Sequence, residues 1–234
     1  MNLPEHQTLT ESLIETLIET LTWLPFLLEG FGLNLLISAL AMLMGTLCGA
    51  VLAQARLSRP PTLRRAGHLL TELTRNVPTF VFLYYLAFML PTEIRLPGGG
   101  EIWLIPGWVK AALALSIAVT GFCADNLSLA LAAWREGDHG RALLIIPSWA
   151  GYGLIIVMAS STASVVGVPE LLSRCNTVIA ATGNTGMMLP VYALACAIFV
   201  LTCWPLIQVM DHLKRRMMDR YLRYPLATAR GGRP

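Results

Sequence analysis

Asp125 and Asn126 stand side by side within a run, Ala111 to Ala133, in which Asp125 is the one charged residue. A carboxylate at that depth in an apolar helix costs roughly 2.5–3.5 kcal/mol on insertion scales, so it faces protein or water rather than lipid. Two readings follow: a polar group on a solute pathway, or an interhelical hydrogen bond that holds a bundle together. A second polar group, Ser160, Ser161, Thr162 and Ser164, ends another apolar run just before Gly167 and Pro169. Helical hydroxyls bond back to the preceding turn, yet a hydroxyl-rich end beside a broken helix also suits a small polar solute that must shed water. Reactive chemistry finds no such support. H-E-x-x-H, G-x-S-x-G and C-x-x-C are missing, and no G-K-[ST] follows Gly98 to Gly100. His6, His68, His139 and His212 fall outside the apolar runs, and Cys48, Cys123, Cys175, Cys196 and Cys203 read as scattered packing residues. The sequence therefore predicts no metal, no cofactor and no catalysis by this chain alone.

The elements that carry these groups are long and apolar. Uncharged runs cover Gly30 to Ala55, Asn76 to Thr92, Ala111 to Ala124, Ala142 to Pro169 and Cys175 to Met210, the third continuing past Asp125 to Ala133. About 20 residues at about 1.5 Å rise cross a hydrocarbon core of about 30 Å. With 55% hydrophobic and 13% charged residues, the chain reads as an all-α membrane protein of five transmembrane helices. Segments 56–75, 134–141 and 211–234 then share one side and hold fourteen Lys and Arg, against Arg95, Lys110 and Arg174 on the other. By the positive-inside rule the N-terminus is outside and the C-terminus cytoplasmic, which places Asp125 in the cytoplasmic half. The net charge of +3 belongs to cytoplasmic loops and lipid headgroups, and implies no nucleic acid.

Three parts are expected: a periplasmic amphipathic segment 1–29, a five-span domain 30–210 and a basic cytoplasmic tail 211–234. In the first, Glu11, Glu15 and Glu19 oppose a stripe of Leu13, Ile14, Leu17, Ile18, Leu21 and Leu24, the pattern of a helix lying on a membrane surface or a partner. Nothing there resembles a cleaved signal, because Met1 to Glu19 has no basic residue. Gly45 and Gly49 have the four-residue spacing that lets helices approach closely. Glu72 and Arg75 can pair on one helix face. The outer loop PTEIRLPGGGEIWLIPGW reads as a short ordered cap.

Over residues 27 to 218 the chain resembles the permease subunits of polar amino-acid ABC importers of the histidine, glutamine and arginine type. LLEGFGLNLLISALAMLMGTLCGAVLAQARLS resembles that family's opening span, and TELTRNVPTFVFLYYLAFMLP its R-G-[TV]-P segment through Arg75, Val77 and Pro78. ALSIAVTGFCADNLSLAL is similar to its third span, with Asp125 in place of the usual Glu. STASVVGVPELL is the best match, and DHLKRRM is similar to the family's basic terminal helix. The resemblance implies a type I ABC importer fold in a bacterial inner membrane. Its implied partners are a second permease chain, two ATPase subunits that carry out the ATP hydrolysis, and a periplasmic solute-binding protein. Asp125, Asn126, Ser160, Ser161 and Thr162 are then candidates for the substrate pathway.

The departures lie on the cytoplasmic side. WREGDHGRALLIIPSW stands where the family has a long loop with a G-Q-x-x-E-A-A-like coupling helix, and only Gly137 and Ala142 match it. Ser128 and Met158 replace a usual Arg and Lys. Arg135, Glu136, Asp138, His139 and Arg141 remain as the candidate ATPase contacts. A rival reading is a degenerate, non-transporting chain that stabilises its partner permease and docks the binding protein. An ATP-independent channel or carrier fits less well, since the spans show no inverted repeat.

Overall fold

The computed structural model describes residues 15–95 and 102–222. Residues 15–22 are helical (α1) and a single turn at Trp23 joins them to α2 (Leu24–Arg56). Next come α3 (Pro61–Asn76), α4 (Thr79–Met89), a hairpin of β1 (Glu93–Arg95) and β2 (Ile102–Leu104), and α5 (Gly107–Arg135). The chain continues through α6 (His139–Leu143), α7 (Ile145–Ala159), a 3-10 stretch Ser160–Val166, α8 (Leu171–Thr182), a 3-10 turn Thr185–Met187 and α9 (Met188–Leu222). Among the described residues, four stretches are long and apolar enough to cross a membrane: Leu24–Arg56, Gly107–Arg135, His139–Val166 and Thr185–Asp219.

Three features depart from the sequence expectations. The helix over the expected second crossing, Asn76 to Thr92, is only the 11 residues Thr79–Met89, about 16 Å of rise. Pro78 lacks an amide and pushes Val77 into extended backbone, which separates α3 from α4. At the other end of α4, Pro91 holds Leu90 in extended backbone and stops the helix, and the buried Lys110 ammonium donates to the freed Ala87 and Leu90 carbonyls at 3.2 and 2.7 Å. The expected fifth run, Cys175 to Met210, is divided between α8 and α9, because Gly183 ends α8 in the left-handed region at φ 62°. Finally, the cap expected over 91–108 contains two antiparallel strands of three residues each, paired Glu93 with Leu104 and Arg95 with Ile102, while the membrane-length elements are helices as expected. Gly98 to Gly100 lie outside the described residues, as do Glu11, Leu13, Ile14 and the end of the basic tail.

The core forms where α2 crosses α5. A Cβ on Gly49 would stand 2.5 Å from Cys123 Cβ and 2.9 Å from the Thr120 carbonyl, and one on Gly45 would meet Val119. The two glycines thus let the backbones approach more closely than any side chain permits. Ile37, Ala41, Leu115, Val119 and Cys123 fill this junction. A second cluster joins Leu27 and Phe31 of α2 to Leu171, Cys175 and Val178 of α8 and to Val191 and Ile198 of α9. Leu43, Leu47, Val51, Leu129, Leu201 and Trp204 point outward and are exposed, as expected of helices whose solvent is lipid. On α1 the apolar stripe Leu17, Ile18 and Leu21 is likewise uncovered, while Thr20 is buried against Met187.

Candidate functional site

Asp125 holds three helices together at one end of the bundle. Its Oδ1 accepts from Arg56 Nη1 at the end of α2, and its Oδ2 accepts from Arg75 Nη1 in the last turn of α3. Arg75 thereby reaches across to α5 instead of pairing with Glu72 on its own helix. The two arginines differ in their surroundings, since the Arg56 side chain is 15% exposed and that of Arg75 is 56% exposed. These contacts supply the interhelical bond that was one of the two readings of Asp125. They also leave it beside open space, because Asp125 and Asn126 line a cleft of about 470 Å³ with Arg75, Thr79, Phe122 and Tyr152. Asn126 donates to the Phe122 carbonyl at 2.9 Å. Phe122 and Tyr152 stack with centroids 3.9 Å apart and tie α5 to α7. The arrangement places a carboxylate, a guanidinium and an amide on an aromatic-walled cleft, where a small solute bearing both charges can exchange for the Arg75–Asp125 pair.

The hydroxyl run is not part of that cleft. Ser161, Thr162 and Ser164 donate to the carbonyls of Met158, Ala159 and Ser161 at 2.8, 2.7 and 2.9 Å, the local back-bonding expected of such residues. Ser160 donates to the Val157 carbonyl and accepts from Asn34 Nδ2 at 2.9 Å. The same Asn34 amide donates to Glu170 Oε2 at 2.9 Å, and Asn34 Oδ1 accepts from the Leu171 amide at 3.1 Å. Glu170 caps α8 by accepting from the Leu172 and Ser173 amides. Burial pushes the Glu170 carboxyl up, and the hydrogen bonds from Asn34, Ser173 and Leu172 pull in the other direction without cancelling it. Asn34 and Glu170 were not among the sequence candidates. Their signal was present: an amide near the outer end of an apolar span, and an acid directly after the helix-ending Gly167 and Pro169. Asn34 and Arg56 are about 33 Å apart along α2, so Asp125 and Ser160 sit towards opposite ends of the bundle.

Below Asp125, the turn after α5 is compact. Asp138 Oδ1 accepts from the Arg141 amide at 3.0 Å and starts α6, a helix of five residues, while Gly137 takes the left-handed φ of 84° that the reversal needs. The Trp134 ring lies 4.3 Å from that of His139. Arg135, Glu136, Asp138, His139 and Arg141 are all exposed, which makes them one polar surface patch. Arg174 fastens the opposite end, donating to the Phe26 carbonyl and to Glu29 Oε2 at 2.9 and 2.6 Å with its guanidinium over the Phe26 ring.

No protein-family model matches the chain. Among curated proteins it is 28% identical to the probable amino-acid ABC transporter permease protein YckA of Bacillus subtilis, over 64% of this chain and 72% of that one. It is 24% identical to the L-cystine transport system permease protein TcyB of the same organism over 94% of this chain and 97% of that one. The octopine transport system permease protein OccQ of Rhizobium meliloti is 23% identical over 76% of this chain and 84% of its own length. The fold itself is that of a solved chain from an amino acid ABC transporter with histidines, at a TM-score of 0.71 over 85% of this chain and 97% of that chain, with 17% identity. The chain is a permease subunit of an ABC importer. As such it is a multi-pass membrane protein without catalytic activity of its own.

Proposed function

We propose that this subunit forms half of the translocation pathway for a polar amino acid or similar small solute, with a second permease chain forming the other half. Relatives whose names specify an amino acid, cystine and octopine support that substrate class. The observation that carries the reading is the cleft shared by Arg75, Asp125, Asn126 and Tyr152, because a zwitterion needs both signs of charge in a space screened from lipid. Two ATPase subunits would drive the cycle and a periplasmic binding protein would deliver the solute. The charge asymmetry supports an N-terminus outside and a cytoplasmic C-terminus, with α3 and α4 together providing the second of five passages. Ser160, Ser161 and Thr162 then belong to the outer half, where Ser160 braces the bundle through Asn34.

The rival reading, a partner-stabilising chain that does not transport, draws on the short α6 turn. Coupling requires a rigid element that seats on the ATPase and transmits its two states, and five residues give little more than one turn. The purified complex discriminates between them. Loaded binding protein is expected to stimulate its ATP hydrolysis. Replacing Glu136, Asp138 and Arg141 together by Ala is expected to reduce that stimulation less than disrupting the corresponding loop of the partner permease. Abolished stimulation with the complex intact would make this turn a full coupling element. If the partner chain supports stimulation and solute uptake unchanged when this cleft is filled by Asn126→Trp, the rival is correct.

A further inference from the structure

We propose that Arg75 is a movable partition in the solute path, held against Asp125 when the path is closed and transferred to Glu72 when it opens. Arg75 and Asp125 are the two residues shared by two neighbouring cavities. One is the 470 Å³ cleft walled by Thr79, Phe122, Asn126 and Tyr152. The other, of about 320 Å³, is walled by Arg56, His68, Thr71, Glu72 and Asn76. The ion pair is therefore the wall between them, and parting it joins the two spaces.

The charges around the pair allow it to part. Asp125 keeps Arg56 as a second partner, so releasing Arg75 does not leave a half-buried carboxylate bare, the costly outcome in a low-dielectric site. Arg75 is the more exposed of the two guanidinium groups and regains water when it leaves. Glu72 lines the second of the two cavities, lies three residues before Arg75 on α3 and makes no ion-pair contact among the described residues, its charge acting on Arg56 only at longer range. It offers the helix-face alternative that the sequence spacing allows. The backbone also has a place to yield, since Val77 and Pro78 are extended between α3 and α4. On the far side, α3 presses on α5 at Gly121, where a Cβ would stand 2.8 Å from Thr74 Oγ1, so a shift of this end of α3 is felt at the cleft.

The inference rests on the cleft belonging to the solute path, and the experiment separates the two claims. A single cysteine at Thr79, inside the first cleft, is introduced into a cysteine-free version of the assembled transporter. Its reaction with a membrane-impermeant thiol reagent is timed from the side on which α3 lies. Arg75→Gln is expected to speed labelling about fivefold, the population shift that losing one partly exposed ion pair produces. Glu72→Gln is expected to slow it and to lower the uptake rate while leaving the KM for solute unchanged. Where the cysteine-free background is unstable, Thr79→Cys is placed in the otherwise native transporter and the labelling of its parent is subtracted: faster labelling with Arg75→Gln supports the partition, and an equal rate contradicts it. Equal labelling rates in all three proteins would overturn the partition while leaving the permease function standing. A transporter that labels as expected but moves no solute would retain the partition and remove the pathway reading.

Discussion

Glu170 fixes the junction of α2, the 3-10 stretch Ser160–Val166 and α8 through one carboxylate. It is fully buried and accepts three N–H groups, from Asn34, Leu172 and Ser173. Removing it orphans a buried amide and uncaps a helix. Glu170→Ala should therefore destabilise the subunit by about 2–3 kcal/mol, against about 1 kcal/mol for Glu170→Gln, which keeps one acceptor. Thermal unfolding of the detergent-solubilised complex checks both; equal effects would mean that the acceptor oxygen lost in both variants, not the volume lost only in Glu170→Ala, sets the cost. At this scale the sequence was legible for Asp125, because an acid alone in an apolar run announces itself. It was not legible for the partners of Asp125, since Arg56 and Arg75 are separated from it by 69 and 50 positions and spacing arguments reach only one turn along a helix. The same limit hid the Asn34–Ser160–Glu170 network, whose members come together only after α2 and α8 have packed.

Among the elements, α2 and α5 form the axis on which the others hang. Gly49→Leu would drive a branched side chain into Cys123 and Thr120 and force the two backbones apart, so it should abolish assembly with the partner permease. Gly32→Leu, at a position where a Cβ meets nothing within 4 Å, should leave assembly intact. Co-purification of the partner chain distinguishes the pair, and assembly that survives Gly49→Leu would show that close approach at this crossing is dispensable. The apolar runs made α2, α5, α7 and α9 readable in advance, because hydrophobic length is a property of sequence alone. The break at Pro78 was visible as well, and so was the end of α4, since Pro91 forces Leu90 into extended backbone. What was not visible is the partner of the carbonyls left free there, because Lys110 reaches Ala87 and Leu90 from the following helix and no local pattern encodes such a tertiary contact. Gly183 likewise divides a run that was joined for want of charge, although the cluster Thr182 to Gly186, TGNTG, carries the local signal of a turn.

For the whole molecule, the outward leucines, the ion-paired end of the bundle and the buried polar junction near its other end describe a subunit built to sit in lipid beside a second chain. The charge asymmetry that orients it and the order of its motifs were readable from the sequence. The separation of Asp125 from the hydroxyl run was already implied by that topology, which sets Asp125 in the cytoplasmic half and the end of the run Ala142 to Pro169 on the outer side, although both were candidates for one pathway. That separation confines the proposed solute contacts to Arg75, Asp125, Asn126 and Tyr152. The most direct test is uptake by the complete transporter, containing this chain, its partner permease, the ATPase subunits and the binding protein, reconstituted in vesicles with ATP. A panel of labelled polar amino acids, cystine among them, is offered one at a time. At least one should accumulate in an ATP- and binding-protein-dependent manner, and Asp125→Asn in this chain should lower its rate while the complex stays assembled. Accumulation that is unchanged by Asp125→Asn, or no accumulation of any amino acid by an intact and ATP-hydrolysing complex, would contradict a solute path through this subunit.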